Sequence, residues 1–161
     1  MAIGSHHGPK MITDEWLTPP EIIEALGLFD LDPCFLKDRP WDTAKTHYTI
    51  EDNGLWEPWF GRIWLNPPYG KDTAVWLEKL ANHGNGIALI FARTETKMFF
   101  KYVWDVADAI LFIRGRLFFH YPDGTKAKAN SGAPSVLIAY GLKNAKILEN
   151  SNIDGKFISL K

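Results

Sequence analysis

Arg62-Ile63-Trp64-Leu65-Asn66-Pro67-Pro68-Tyr69-Gly70 is a short apolar run that two prolines bring to a stop. Neither proline has an N–H to give to a sheet ladder, so a strand over 62–65 must end at Asn66. Downstream, Trp76, Leu77, Leu80 and Ala81 share one face of a helix over about 72–82. Ile87 to Ala92 is apolar on both faces, as a central parallel strand is. A helix over about 95–106 buries Met98, Phe99, Tyr102, Val103 and Val106. Ala109–Ile113 and Ser135–Tyr140 read as further strands, and Leu117–His120 as a short additional piece. Tyr121–Pro134 is a loop rich in Gly, Lys and Asn. Upstream, Thr18 offers a capping hydroxyl to a helix over about 19–26 that carries Pro19 and Pro20 in its first turn and stops at Gly27. Phe29–Pro33 reads as a strand, followed by irregular chain to Pro58. Strand and helix alternate, so the expected class is α/β with a mostly parallel sheet and a ligand site beyond the carboxyl ends of its strands.

Asn66, Pro67, Pro68 and Tyr69 stand at such an end and suit one chemistry. An exocyclic amine on a base is a poor nucleophile because its lone pair is delocalised into the ring. If the Asn66 side-chain carbonyl and the Pro67 backbone carbonyl each accept one of its N–H groups, the nitrogen is held toward a pyramidal geometry with its lone pair aimed at an electrophile. Pro67 and Pro68 fix the backbone that aims these acceptors, and Tyr69 offers a face on which an extruded base can stack.

The tetrad resembles motif IV of S-adenosylmethionine-dependent amino-methyltransferases. With Trp16-Leu17-Thr18-Pro19, Leu31-Asp32-Pro33-Cys34, Glu51-Asp52-Asn53-Gly54-Leu55, Ala92-Arg93-Thr94-Glu95-Thr96 and Arg114-Gly115-Arg116-Leu117-Phe118-Phe119, the chain is similar to the phage-type, Dam-like DNA N6-adenine methyltransferases from about Trp16 to Tyr140. The resemblance implies a Rossmann-like methyltransferase fold, S-adenosylmethionine as donor and adenine in double-stranded DNA as acceptor. It places Thr18 and Pro19 near the methionine end of the cofactor, and Asp32 and Pro33 at its amino group. Asp30 or Asp52 then holds the ribose hydroxyls. The usual Gly-x-Gly after the first strand is absent, since Cys34-Phe35-Leu36-Lys37 follows. Only 33 residues lie between Asp32 and Asn66, too few for two complete strand–helix units, so a trimmed sheet is expected.

The 161 residues, 46% hydrophobic and 23% charged, match one ordinary soluble domain and exclude a collagen-like repeat. Residues 1–12 read as a flexible lead-in and 13–161 as the catalytic domain. No window approaches the roughly 18 apolar residues of a membrane span, and residues 1–10 lack the apolar stretch of a signal peptide. No membrane partner is therefore expected, and the location is cytoplasmic, in a bacterial or phage-infected cell. One cysteine cannot form an intrachain disulfide or a cysteine zinc site, and His6-His7 has no second cluster, so no metal is expected. No obligate protein partner is evident, which fits a monomer. Residues 1–60 carry 4 Lys/Arg against 11 Asp/Glu, whereas 61–161 carry 14 against 8. In that second part Arg93, Lys97, Lys101, Arg114, Arg116, Lys126 and Lys128 are the candidates for DNA phosphates. Pro33-Cys34 superficially suits attack on cytosine C5, but the Asn66 tetrad does not. Cytosine N4, an RNA base and a protein glutamine remain alternative acceptors, and a non-catalytic nucleic-acid-binding module is the alternative of a different class.

Overall fold

The strand expected over 87–92 runs from Gly86 to Phe91, and its side chains divide with the two-residue period of a strand. Ala88 and Ile90 enter one apolar cluster with Leu65, Leu77 and Phe99, whereas Ile87 and Leu89 enter another with Trp64, Leu26 and Leu148. Helices therefore cover both faces of the sheet. These features come from a computed structural model that describes residues 16–161; the lead-in expected over 1–12 lies outside the described residues.

In chain order the elements are α1 (Pro20–Leu26), β1 (Leu31–Asp32), β2 (Thr46–His47), β3 (Ile63–Leu65), α2 (Thr73–His83) and β4 (Gly86–Phe91). There follow α3 (Lys97–Phe99), continued by a π-helical turn over Phe100–Trp104, then β5 (Ala109–Ile113), β6 (Ser135–Tyr140), α4 (Leu142–Glu149) and β7 (Gly155–Ser159). The helix expected over 95–106 is thus split into a short α segment and a wider turn. Thr96 caps it by accepting the Phe99 N–H at 3.2 Å. Leu117–His120 is not a strand; only His120 bridges, to Leu17 and to Lys126.

One seven-stranded sheet has the order β2-β1-β3-β4-β6-β5-β7. The expectation of a mostly parallel sheet needs correction. Only the junctions among β2, β1, β3 and β4 are parallel, and they are short. The longer ladders β4–β6, β6–β5 and β5–β7 are antiparallel. The reason lies in the connections. A parallel neighbour needs a crossover, usually helical, and α2 supplies one between β3 and β4. The chain between Ile113 and Ser135 contains no helix, so β6 returns against both its neighbours.

The loop after β1 is set by Asp32. This carboxylate is 1% exposed; it accepts the Cys34 N–H at 3.0 Å and the Thr43 hydroxyl, and Arg39 Nη1 lies 3.8 Å away. Burial raises its pKa, while Arg39, Thr43 and the Cys34 N–H oppose the shift. The Arg39 guanidinium also sits 3.8 Å over the Phe35 ring. Asp32 therefore gathers residues 33–43 around one buried point. Asp32→Ala should cost about 3 kcal/mol or more, because Arg39, Thr43 and the Cys34 N–H lose their shared partner. Asp32→Asn keeps one acceptor oxygen for the Cys34 N–H but removes the charge that faces Arg39, so it should recover only part of that loss. Urea unfolding of the two variants checks the ordering.

Candidate active site

In the sheet order, β2 lies on one side of β1 and β3 on the other, so the chain switches direction between β1 and β3. A crevice forms beyond the carboxyl ends of such a pair. Here it is a cleft of about 540 Å³. One wall is the stretch after β1, with Pro33, Cys34, Phe35, Leu36 and Arg39. A second is the loop after β2, with Thr49, Ile50, Asn53, Gly54 and Leu55. Asn66 to Tyr69 form the third, completed by Asp72 and Trp76 of the α2 region and by Trp16.

The first two walls touch. Gly54 lies so close to β1's continuation that a Cβ there would overlap the Pro33 carbonyl oxygen, and Asn53 before it adopts a left-handed φ of 57°. Asp52 does not line the cleft. Its exposed carboxylate accepts the Thr49 N–H at 2.7 Å and closes the turn that carries Asn53. Asp30 is further away, at the amino end of β1, where it accepts the Arg62 N–H at 2.7 Å. Neither carboxylate stands on the cleft wall as expected for a ribose ligand, and the Asp32 carboxylate is spent inside the protein. Among the cleft residues, Phe35, Leu36, Arg39, Thr49, Ile50, Asp72 and Trp76 lie outside the sequence motifs, whereas Trp16, Cys34, Asn53, Gly54 and Leu55 stand within them without an individual role. The Asn53-Gly54 pair was a readable turn signal.

The tetrad is built around one oriented amide. Asn66 Nδ2 donates to the Trp16 main-chain carbonyl at 3.2 Å and to Thr18 Oγ1 at 3.0 Å. A backbone carbonyl only accepts, so the nitrogen must be the end that faces it. With both amide hydrogens engaged, the side-chain oxygen Oδ1 is the end left for the cleft. Thr18 is fully buried in this contact and does not cap α1; Pro19 occupies the cap position, and no side chain bonds the helix start. Pro67 is buried and Pro68 exposed, and the Pro68 carbonyl accepts the Thr73 hydroxyl at 2.6 Å, which ties the turn to α2.

The Tyr69 ring stacks on Phe91 with centroids 4.1 Å apart and planes 10° from parallel. Its hydroxyl is buried without a partner among the described residues, and burial raises its pKa well above the ordinary phenol value. Arg93, exposed just past β4, holds its guanidinium 5.7 Å over the other partner of that stack, Phe91.

The remaining basic candidates divide by their contacts. Arg114 pairs with Asp154 at 2.9 Å, and Arg116 donates to the Gly132 carbonyl at 2.9 Å, so both brace the chain around the 114–134 loop. Lys126 lies 5.3 Å over the Phe118 ring, while Lys128 and Lys97 are exposed. The loop itself is docked beside the tetrad. Leu17 and His120 exchange backbone hydrogen bonds at 2.9 and 3.0 Å, and the Trp16 and Tyr121 rings lie 5.4 Å apart. No helix among the described residues is long and apolar enough to cross a membrane.

Comparison with known proteins identifies a family. Residues 5–153 match the family described as DNA N-6-adenine-methyltransferase (Dam). No curated protein and no solved structure matches the chain. The match takes in the cleft loops, the oriented Asn66 amide and the basic loop together, and the chain belongs to the Dam family of DNA N-6-adenine methyltransferases.

Proposed function

We propose that the chain transfers a methyl group from S-adenosylmethionine to N6 of an adenine turned out of double-stranded DNA, and that residues 13–161 form one Rossmann-like methyltransferase domain. The observation that supports this is the Asn66 amide, which lines a cleft at the carboxyl ends of β1 and β3 and has its nitrogen engaged by the Trp16 carbonyl and Thr18, leaving the oxygen as its available acceptor. The cleft lining suits the cofactor. Phe35, Leu36, Ile50 and Leu55 offer apolar surface for an adenosine, Thr49 and Asn53 offer polar groups for its ribose, and Asp72 offers a carboxylate to a cationic ligand. Pro33 and Cys34 occupy the place of the absent Gly-x-Gly, their backbone fixed by Asp32 instead.

When bound, S-adenosylmethionine supplies an electrophilic methyl group on a cationic sulfur. Asn66 Oδ1 and the Pro67 carbonyl accept the two hydrogens of the target amine and turn its lone pair outward. The Tyr69 ring, backed by Phe91, is a rigid platform for the extruded base. After transfer the nitrogen is cationic and gives up one proton to solvent, and no covalent enzyme intermediate is needed. Lys126, Lys128 and Arg93 meet phosphates, while Thr18 acts on Asn66 rather than on the cofactor.

Labelled S-adenosylmethionine offered with duplex DNA, RNA and protein, followed by nucleoside analysis, tests the reading. The expected product is N6-methyladenine in DNA. Label in cytosine, RNA or protein would redirect the assignment within the same chemistry, and failure to bind the cofactor would favour a non-catalytic module. Asn66→Ala should lower the methylation rate by about 10² or more, with much less effect on cofactor affinity measured by calorimetry. Replacing Lys126 and Lys128 together by Ala should weaken DNA binding across sequences and reduce the slope of log K against log salt by about 1 to 2.

A further inference from the structure

We propose that Thr18, together with the Trp16 carbonyl, is a positioning pair that decides which end of the Asn66 amide meets the substrate. The proposal rests on Asn66 being the acceptor for the target amine. The two ends of an amide are almost equal in size, and the side-chain torsion that interchanges them is broad and two-fold. The wrong end would present N–H groups to an amine that itself brings N–H groups, so a flipped Asn66 is unproductive.

The surroundings select the right end by hydrogen-bond polarity. A flip would set Oδ1 against the Trp16 carbonyl at the position where Nδ2 now lies 3.2 Å from it, placing two acceptors face to face. Thr18 Oγ1 takes the second amide hydrogen at 3.0 Å from a site with no solvent exposure, so water does not compete for it. The pair is itself anchored. Leu17 between them is fully buried, and its backbone exchanges both hydrogen bonds with His120. Asp at position 66 would lack the hydrogens that this pair requires, which gives a physical reason for the amide in this chain.

Steady-state kinetics on the full chain with duplex DNA and S-adenosylmethionine test the role. Thr18→Val should lower kcat about tenfold, with KM for DNA and Kd for S-adenosylhomocysteine within about twofold of the wild type. Thr18→Ser restores the hydroxyl and should recover kcat to within about threefold. Wild-type kcat in folded Thr18→Val, or an equal loss in the Ser and Val variants, would overturn the role.

A second measurement needs neither turnover nor a Thr18 variant. The Asn66 NH2 signals, identified by NMR as the pair that Asn66→Ala removes, should exchange with solvent at least about tenfold more slowly than the exposed Asn150 side chain. Exchange at the exposed rate overturns the positioning pair even if the wild type methylates DNA. A protected NH2 in a protein that methylates no DNA overturns the reading of Asn66, and the role with it, by a different result.

Discussion

Two hydrogen bonds from the Asn66 amide join three parts of the chain that are far apart in sequence. They run from the end of β3 to the extended segment at 16–18, which is paired through Leu17 to the 114–134 loop. The proposed acceptor, the wall carrying Trp16 and the loop bearing Lys126 and Lys128 are thus referenced to one another through a single side chain. The constraint is one of hydrogen-bond sign as well as of distance, since a carbonyl admits only a donor. Tyr69 is fixed separately, by its stack on Phe91 at the end of the neighbouring strand. The tetrad therefore takes its geometry from two adjacent strand ends and from a segment outside the sheet.

What could be read from the sequence was local. The two prolines after Leu65 announce the end of a buried strand, and the unbroken apolar run from Ile87 to Ala92 announces a strand covered on both faces. Strand direction is not written in hydrophobicity, and Ser135–Tyr140 is as apolar as any parallel strand; only the helix-free stretch before it hints that it returns. Asp30 and Asp52 are the candidates for the ribose hydroxyls, and in the structure each carboxylate accepts a backbone N–H outside the cleft lining. The Asp30 partner lies 32 residues away, so no local pattern reveals it. Residues of the second wall were visible as Glu51-Asp52-Asn53-Gly54-Leu55, yet which of them face the cleft depends on the close packing of Gly54 against Pro33. The final helix and strand, α4 and β7, and the two-residue β2 were not recognised; β2 is too short to show a period.

The uneven charge along the chain acquires a spatial meaning. The basic second part contributes the loop assigned to phosphates and also Asp72, the one carboxylate of the cleft lining, whereas the acidic first part contributes most of the cleft residues but none of its carboxylates. A formal net charge of −1 conceals this division.

The sheet is also divided in its strand lengths. β1, β2 and β3 have two or three residues each, whereas the antiparallel strands β4 to β7 have five or six. Local opening is easiest where the fewest ladder bonds must break, so the cleft side forms the less stable cooperative unit and the antiparallel side the more stable one. A ligand seated between the β1 and β2 loops adds to the free energy of closing that weaker unit, and part of its intrinsic affinity is used in ordering the walls that hold it. The long antiparallel ladders then serve as a foundation whose stability is largely independent of occupancy, leaving the short parallel edge free to exchange rigidity for binding.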